Sequence, residues 1–96
     1  MAAYLIVNVK ISNPEAYQEY RNRVPGVFKQ FGGKAIVRSP EYETWEGTSD
    51  FAQVVVLEFP SMDQARAFWN SEEYKPVKAL RQGHAELTVI AVEGAA

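Results

Sequence analysis

Two stretches of the chain, 48 positions apart, carry the same pattern, and this repeat restricts the possible folds more than any other feature. In the first, Leu5, Val7, Val9 and Ile11 alternate with Tyr4, Ile6, Asn8 and Lys10, the period-two pattern of a strand with one dry face and one mixed face. Asn13-Pro14-Glu15 follows as a helix start: an N-cap amide, a proline where no N–H is needed, and an acid in the first turn. In the second, Phe51 to Phe59 alternates in the same way, Pro60 stops it, and Ser61 with Gln64 forms a capping box. Superposing the caps Asn13 and Ser61 sets Val9 over Leu57, Ile11 over Phe59 and Lys10 over Glu58, so odd positions face the helices in both halves.

The intervening residues complete each half. Tyr17, Tyr20, Val24, Val27, Phe28 and Phe31 recur at steps of three and four, the apolar stripe of a helix. Pro25-Gly26 predicts a kink or break near Val24, and Gly32-Gly33 supplies the positive φ that ends the helix. Lys34 to Arg38 reads as a strand, with an irregular extension over Tyr42 to Glu46 after Ser39-Pro40 and a turn at Gly47-Thr48-Ser49-Asp50. Met62, Ala65, Phe68 and Trp69 form the inward stripe of a short helix. Ser71-Glu72-Glu73 caps a further turn or two, with Tyr74, Val77 and Leu80 inward, and Ala85 to Val92 is the last strand.

The order is therefore β-α-β-β-α-β, a ferredoxin-like α+β split sandwich with a four-stranded antiparallel sheet in the order 4-1-3-2 and both helices on one side. One domain over residues 1–96 fits this length. The other sheet face would carry Tyr4, Ile6, Ile36, Val54, Val56, Ile90 and Val92, much apolar surface for so small a chain. A second copy packed sheet to sheet, forming a dimeric α/β barrel, is the expected cover.

Composition narrows the chemistry. There is no cysteine and one histidine, which excludes a disulfide framework, a thiolate nucleophile and the usual zinc sites; no metal site is expected. With ten basic and twelve acidic residues scattered along the chain, the basic stripe of a nucleic-acid binder is missing. The run Val54-Val55-Val56-Leu57 is far too short to span a bilayer, and Met1-Ala2-Ala3-Tyr4 does not begin like a signal peptide, so a cytoplasmic protein without membrane or nucleic-acid partners is expected.

Pro14-Glu15-Ala16-Tyr17 with Tyr20, Val24-Pro25, Phe31-Gly32-Gly33, Val37-Arg38, Glu46-Gly47, Glu58-Phe59-Pro60-Ser61, Ala65 through Trp69, Ser71 with Tyr74, and Leu80-Arg81 together resemble the domain-of-unknown-function family thirteen-thirty of the dimeric α/β-barrel superfamily. The resemblance covers nearly the whole chain. It implies the fold and a homodimer but no reaction. The superfamily is similar in architecture to cofactor-free monooxygenases, muconolactone isomerase-like enzymes and heme-dependent chlorite dismutases, an analogy of fold alone.

Three groups of residues are candidates for chemistry. A hairpin turning around Thr48 would set Arg38 opposite Glu58 on the outward sheet face, with Tyr4 beside Glu58; there Arg38 would hold an anion and Glu58 would move a proton, or the two would form a structural ion pair. Tyr20, Trp69, Tyr74, Arg81 and His84, with Tyr17, form a group between helices and sheet that lines an aromatic pocket or simply packs the core. His84 is the one side chain of a type whose unperturbed pKa lies near neutrality, a general base, a single axial heme ligand or a surface residue, and Glu46 closes the pocket mouth or belongs to a turn. Two functions follow. One is a small-molecule pocket protein, with catalysis of the cofactor-independent monooxygenase or isomerase kind and no cofactor, in which Arg38 orients the anion, Glu58 or His84 shifts a proton, and Tyr20 or Tyr74 donates a hydrogen bond to a developing oxyanion. The other is a non-catalytic dimeric binding or interaction module whose polar residues are structural.

Overall fold

The computed structural model describes residues 1–95; Ala96, the last residue of the expected 1–96 domain, lies outside them. The elements are β1 (Ala3–Ile11), α1 (Pro14–Gln30), β2 (Lys34–Ser39), β3 (Val54–Phe59), α2 (Met62–Trp69), α3 (Tyr74–Ala79) and β4 (Ala85–Glu93). The strands form one antiparallel sheet in the order β2-β3-β1-β4, the expected order read from its other edge. The two helix starts repeat as the sequence suggests. Asn13 Oδ1 accepts from the Ala16 N–H and Ser61 Oγ from the Gln64 N–H, each at 3.2 Å.

The sheet does not close. A barrel needs an unbroken ring of strand pairing, and here the ladder ends at β2 on one side and at β4 on the other. The architecture is an open, split β-α-β-β-α-α-β sheet, and the expected dimeric α/β barrel is corrected accordingly. The additional helix arises because the chain breaks after Trp69. Ser71 Oγ donates to the Phe68 carbonyl at 2.8 Å and accepts from the Tyr74 N–H at 3.1 Å, ending α2 and starting α3.

Leu5, Val7, Val9, Leu57 and Phe59 point under the helices and are buried, as their odd positions require. The centre of the core is Phe68, whose ring lies 5.4 Å from Phe59, 4.4 Å from Tyr74 and 6.4 Å from Phe28. Gly33 lies against the Phe59 ring so closely that a Cβ there would stand 2.6 Å from Cε1. Helix α1 runs on through Pro25 without a break; the missing N–H costs one helical hydrogen bond but the buried residues on either side, Tyr20 and Val27, hold the segment down.

The β2–β3 hairpin departs from the expected register. Lys34 pairs with Glu58 and Ala35 with Leu57, but Val37 pairs with Val56 and Arg38 with Val55, so Ile36 is the extra residue of a bulge. A bulge shifts every later side chain to the opposite face. Residues 40–53 are a loop and not a strand extension: Tyr42 packs on Phe51 at 6.1 Å, and Lys10–Asp50 at 3.1 Å and the Ala52 N–H donating to Asn8 Oδ1 at 3.0 Å tie the loop to β1. On the face away from the helices, Ile6, Val54 and Val56 are half-buried and Ile90 is 52% exposed.

Candidate functional site

A cleft opens where α1 passes over β2 and the neighbouring strands. Tyr17, Tyr20, Arg21 and Val24 come from consecutive turns of α1, spaced so that they share one helix face. Val7, Val9, Val55, Leu57 and Leu87 form the floor from three strands, and Ala35, Arg38 and Gln53 complete the wall. The empty space amounts to about 570 Å³, including the part open to solvent. Its polar groups are two phenols, two guanidiniums and one carboxamide, and among the described residues no carboxylate lines it. The bulge at Ile36 is what brings Arg38 here, since a regular hairpin would have sent it to the other face.

The expected pairing of Arg38 with Glu58 is therefore not formed. Arg38 stands across from Val55 on the helix side, whereas Glu58 lies on the outer face with Lys34 Nζ 3.3 Å from its Oε1. The Lys34–Glu58 end of the hairpin is centred on Glu46 rather than Thr48, which puts Lys34 where Arg38 was expected. Tyr4 does lie opposite Glu58, and a hydrogen bond to that carboxylate, reinforced by its charge, raises the Tyr4 phenol above its ordinary range.

Tyr20, which lines the cleft, and Tyr74, which does not, place their hydroxyls 2.8 Å apart, and the Arg81 guanidinium lies 5.6 Å from the Tyr20 ring centroid. Burial, then the neighbouring Tyr74, pushes the Tyr20 phenol far above the usual phenol range. Burial raises the Tyr17 phenol as well, against the opposing charge of Arg21, whose guanidinium sits 5.5 Å from the Tyr17 ring centroid. For Arg81, burial works to lower the pKa, but the phenols of Tyr74 and Tyr20 outweigh it and the group is raised.

The remaining candidates stand apart. Trp69 lines a second, mainly apolar cleft under α2 with Leu5, Met62, Ala65, Val89 and Ala91, and Lys78 Nζ sits 4.3 Å from its ring centroid. His84 lies in the turn before β4, where its carbonyl accepts from the N–H groups of Ser12 and Asn13 at 2.9 and 3.1 Å; its side chain lines neither cleft. Glu46 is exposed in the 40–53 loop. Among the described residues no group of three or more acidic or histidine side chains is placed to hold a metal ion. No helix there is long and apolar enough to cross a membrane.

Arg21 and Gln53 were not among the expected site residues. Arg21 was findable, because it follows Tyr17 by four on the helical stripe. Gln53 carried no such signal, since its place depends on how the loop returns to β3.

The model of a family described as a domain of unknown function, DUF1330, matches residues 2–95. No curated protein matches the sequence. Among solved structures the chain is similar to RPA0582, a protein of unknown function from Rhodopseudomonas palustris, with 18% identity, a TM-score of 0.77, and 99% of this chain and 83% of that one covered. It is also similar to SnoaB, a cofactor-independent oxygenase from Streptomyces nogalater, with 10% identity, a TM-score of 0.72 and coverage of 99% and 94%. A dimeric ferredoxin-like protein of unknown function from Jannaschia sp. CCS1 gives 10% identity, a TM-score of 0.72 and coverage of 98% and 100%. At these identities the likeness is one of fold.

Proposed function

The chain belongs to the DUF1330 family of domains of unknown function, and from that premise we propose that it binds a small, largely apolar organic anion in the cleft beneath α1. The observation that carries this reading is the cleft's lining: an aliphatic floor under aromatic residues of α1, Arg21 and Arg38 at its wall, and no carboxylate among the described residues. A site with two guanidiniums and no acid favours an anion over a cation or a neutral molecule of the same shape, and a guanidinium grips a carboxylate in two-pronged fashion.

The catalytic form of this proposal is a cofactor-independent oxygenase-like or isomerase-like reaction, with Arg21 and Arg38 stabilising the oxygen of an enolate or phenolate. The fold-level likeness to a cofactor-independent oxygenase supports it. Glu58 and His84 take no part, because neither lines the cleft.

Assembly is part of the proposal: one domain, in the cytoplasm, pairing with a second copy across the outer sheet face where Ile36, Val37, Ile90 and Val92 are exposed. The likeness to a dimeric ferredoxin-like protein supports this pairing. A second reading, a non-catalytic interaction module, draws support from the Lys34–Glu58 ion pair, which consumes the outer-face carboxylate structurally.

A thermal-shift comparison of matched aromatic acids, amides and amines tests the reading, because a ligand that binds only the folded state raises its stability. Stabilisation by acids alone is expected. Equal response to all three classes, or to none, favours the interaction module.

A further inference from the structure

Tyr20 on α1 and Tyr74 at the start of α3 are joined by a hydrogen bond between hydroxyls 2.8 Å apart, in which either oxygen can be the donor. Two phenols bring two hydroxyl protons, and the bond between them uses one; the second needs an acceptor of its own. The other polar group at the pair is Arg81, and a guanidinium only donates. Among the described residues Arg81 has no carboxylate partner within ion-pair distance, and its buried Nε has no hydrogen-bond partner. Among the described residues, neither hydroxyl makes a hydrogen bond beyond the one joining the pair, so the second proton is without a partner there.

The two phenols differ in one respect. Tyr20 borders the α1 cleft, whereas Tyr74 does not and is only 2% exposed. If Tyr20 donated to Tyr74, the Tyr74 proton would be sealed in the core without an acceptor, and a buried unsatisfied polar group is costly. If Tyr74 donates, the Tyr20 oxygen accepts and the spare proton belongs to the residue at the cleft.

We propose that Tyr74 donates to Tyr20, that Arg81 fixes this direction as a positioning residue, and that Tyr20 spends its own proton on an oxygen acceptor of the molecule in the cleft. The proposal rests on the organic-anion reading and narrows it: the ligand carries a carboxylate, phenolate or carbonyl oxygen reaching the wall formed by Tyr20. Burial pushes the Tyr20 phenol up from a range in which it is already protonated at neutral pH, so it stays a donor into alkaline solution as well.

The test is hydroxyl exchange read by NMR of ¹³Cζ-labelled tyrosine in mixed H₂O and D₂O, with benzoate as the probe ligand. Assignment through backbone correlations in the wild type makes the reading independent of any variant folding. The Tyr74 hydroxyl is expected to exchange slowly and the Tyr20 hydroxyl quickly, with benzoate slowing Tyr20 at least five-fold. Tyr20→Phe is expected to weaken benzoate binding at least ten-fold and Tyr74→Phe less than three-fold. Arg81→Met is expected to abolish the slow Tyr74 exchange and Arg81→Lys to preserve it. Slow exchange at Tyr20 with fast exchange at Tyr74 overturns the proposal, as does slow Tyr74 exchange in Arg81→Met for the role of Arg81. Failure of benzoate and other aromatic acids to bind the wild type overturns the cleft reading instead, while the exchange rates still decide the direction of the bond.

Discussion

Lys34 faces Glu58 across the β2–β3 hairpin, with 3.3 Å between Nζ and Oε1. The lysine side chain is largely exposed and the carboxylate about a quarter exposed, so the pair belongs with surface ion pairs, each worth ~0–1 kcal/mol. Lys34→Met and Glu58→Gln are each expected to lower stability by less than about 1 kcal/mol, with a coupling energy inside that range, in a denaturant double-mutant cycle.

Two glycines should respond in opposite directions to the same change. A Cβ on Gly33 would meet Phe59 Cε1 at 2.6 Å and the Phe28 carbonyl oxygen at 3.0 Å, and the fully buried Phe59 has no room to move. Gly33→Ala is expected to destabilise by roughly 1–3 kcal/mol. Gly26 lies within α1 and a Cβ there would meet nothing within 4 Å, so Gly26→Ala is expected to stabilise by about 0.5–1 kcal/mol. Urea denaturation of both variants checks the pair.

Alkaline pH should unfold the protein through its interior phenols. Burial raises the Tyr20 phenol, so the folded state keeps a proton that the unfolded chain releases near its ordinary pKa of about 10. The stability this represents is complete below about pH 10 and is lost as pH rises above it, with a slope of up to ~1.4 kcal/mol per pH unit for one such group. Tyr20→Phe is expected to flatten that limb of the stability–pH curve, as read by chemical denaturation between pH 9 and 11.5.

If a second copy covers the outer sheet face, the wild-type protein should sediment as a dimer at micromolar concentration. Ile90→Lys places a charge at an exposed apolar position of that face and is expected to shift the equilibrium to monomer without unfolding the chain. A wild-type monomer contradicts the proposed pairing.

Strand and helix order were legible because Asn13 and Ser61 cap helices at the same point of two alternating strands, and such signals are local. The sheet order followed from that repeat. What the sequence could not convey is set by single residues acting over a distance. One extra residue, Ile36, moves Arg38 through the sheet, and a hairpin centre near Glu46 rather than Thr48 brings Lys34 to Glu58; no periodicity marks either. The break between α2 and α3, by contrast, was legible at Ser71, whose hydroxyl serves both helices. Apolar residues on the outer face read as the lining of a barrel, yet nothing in their alternation states whether a sheet closes. Tyr20 and Tyr74 were recognisable as members of one aromatic group between helices and sheet, but the bond between their hydroxyls is a product of tertiary packing.

The face assignment of Arg38 carries the account, and isothermal titration of an aromatic acid such as benzoate into three proteins tests it most directly. Arg38→Gln is expected to weaken binding at least ten-fold relative to wild type, because Arg38 lines the cleft, while Glu58→Gln leaves it unchanged, because Glu58 lies on the opposite face. Unchanged binding in Arg38→Gln, or a loss in Glu58→Gln of equal size, would contradict it.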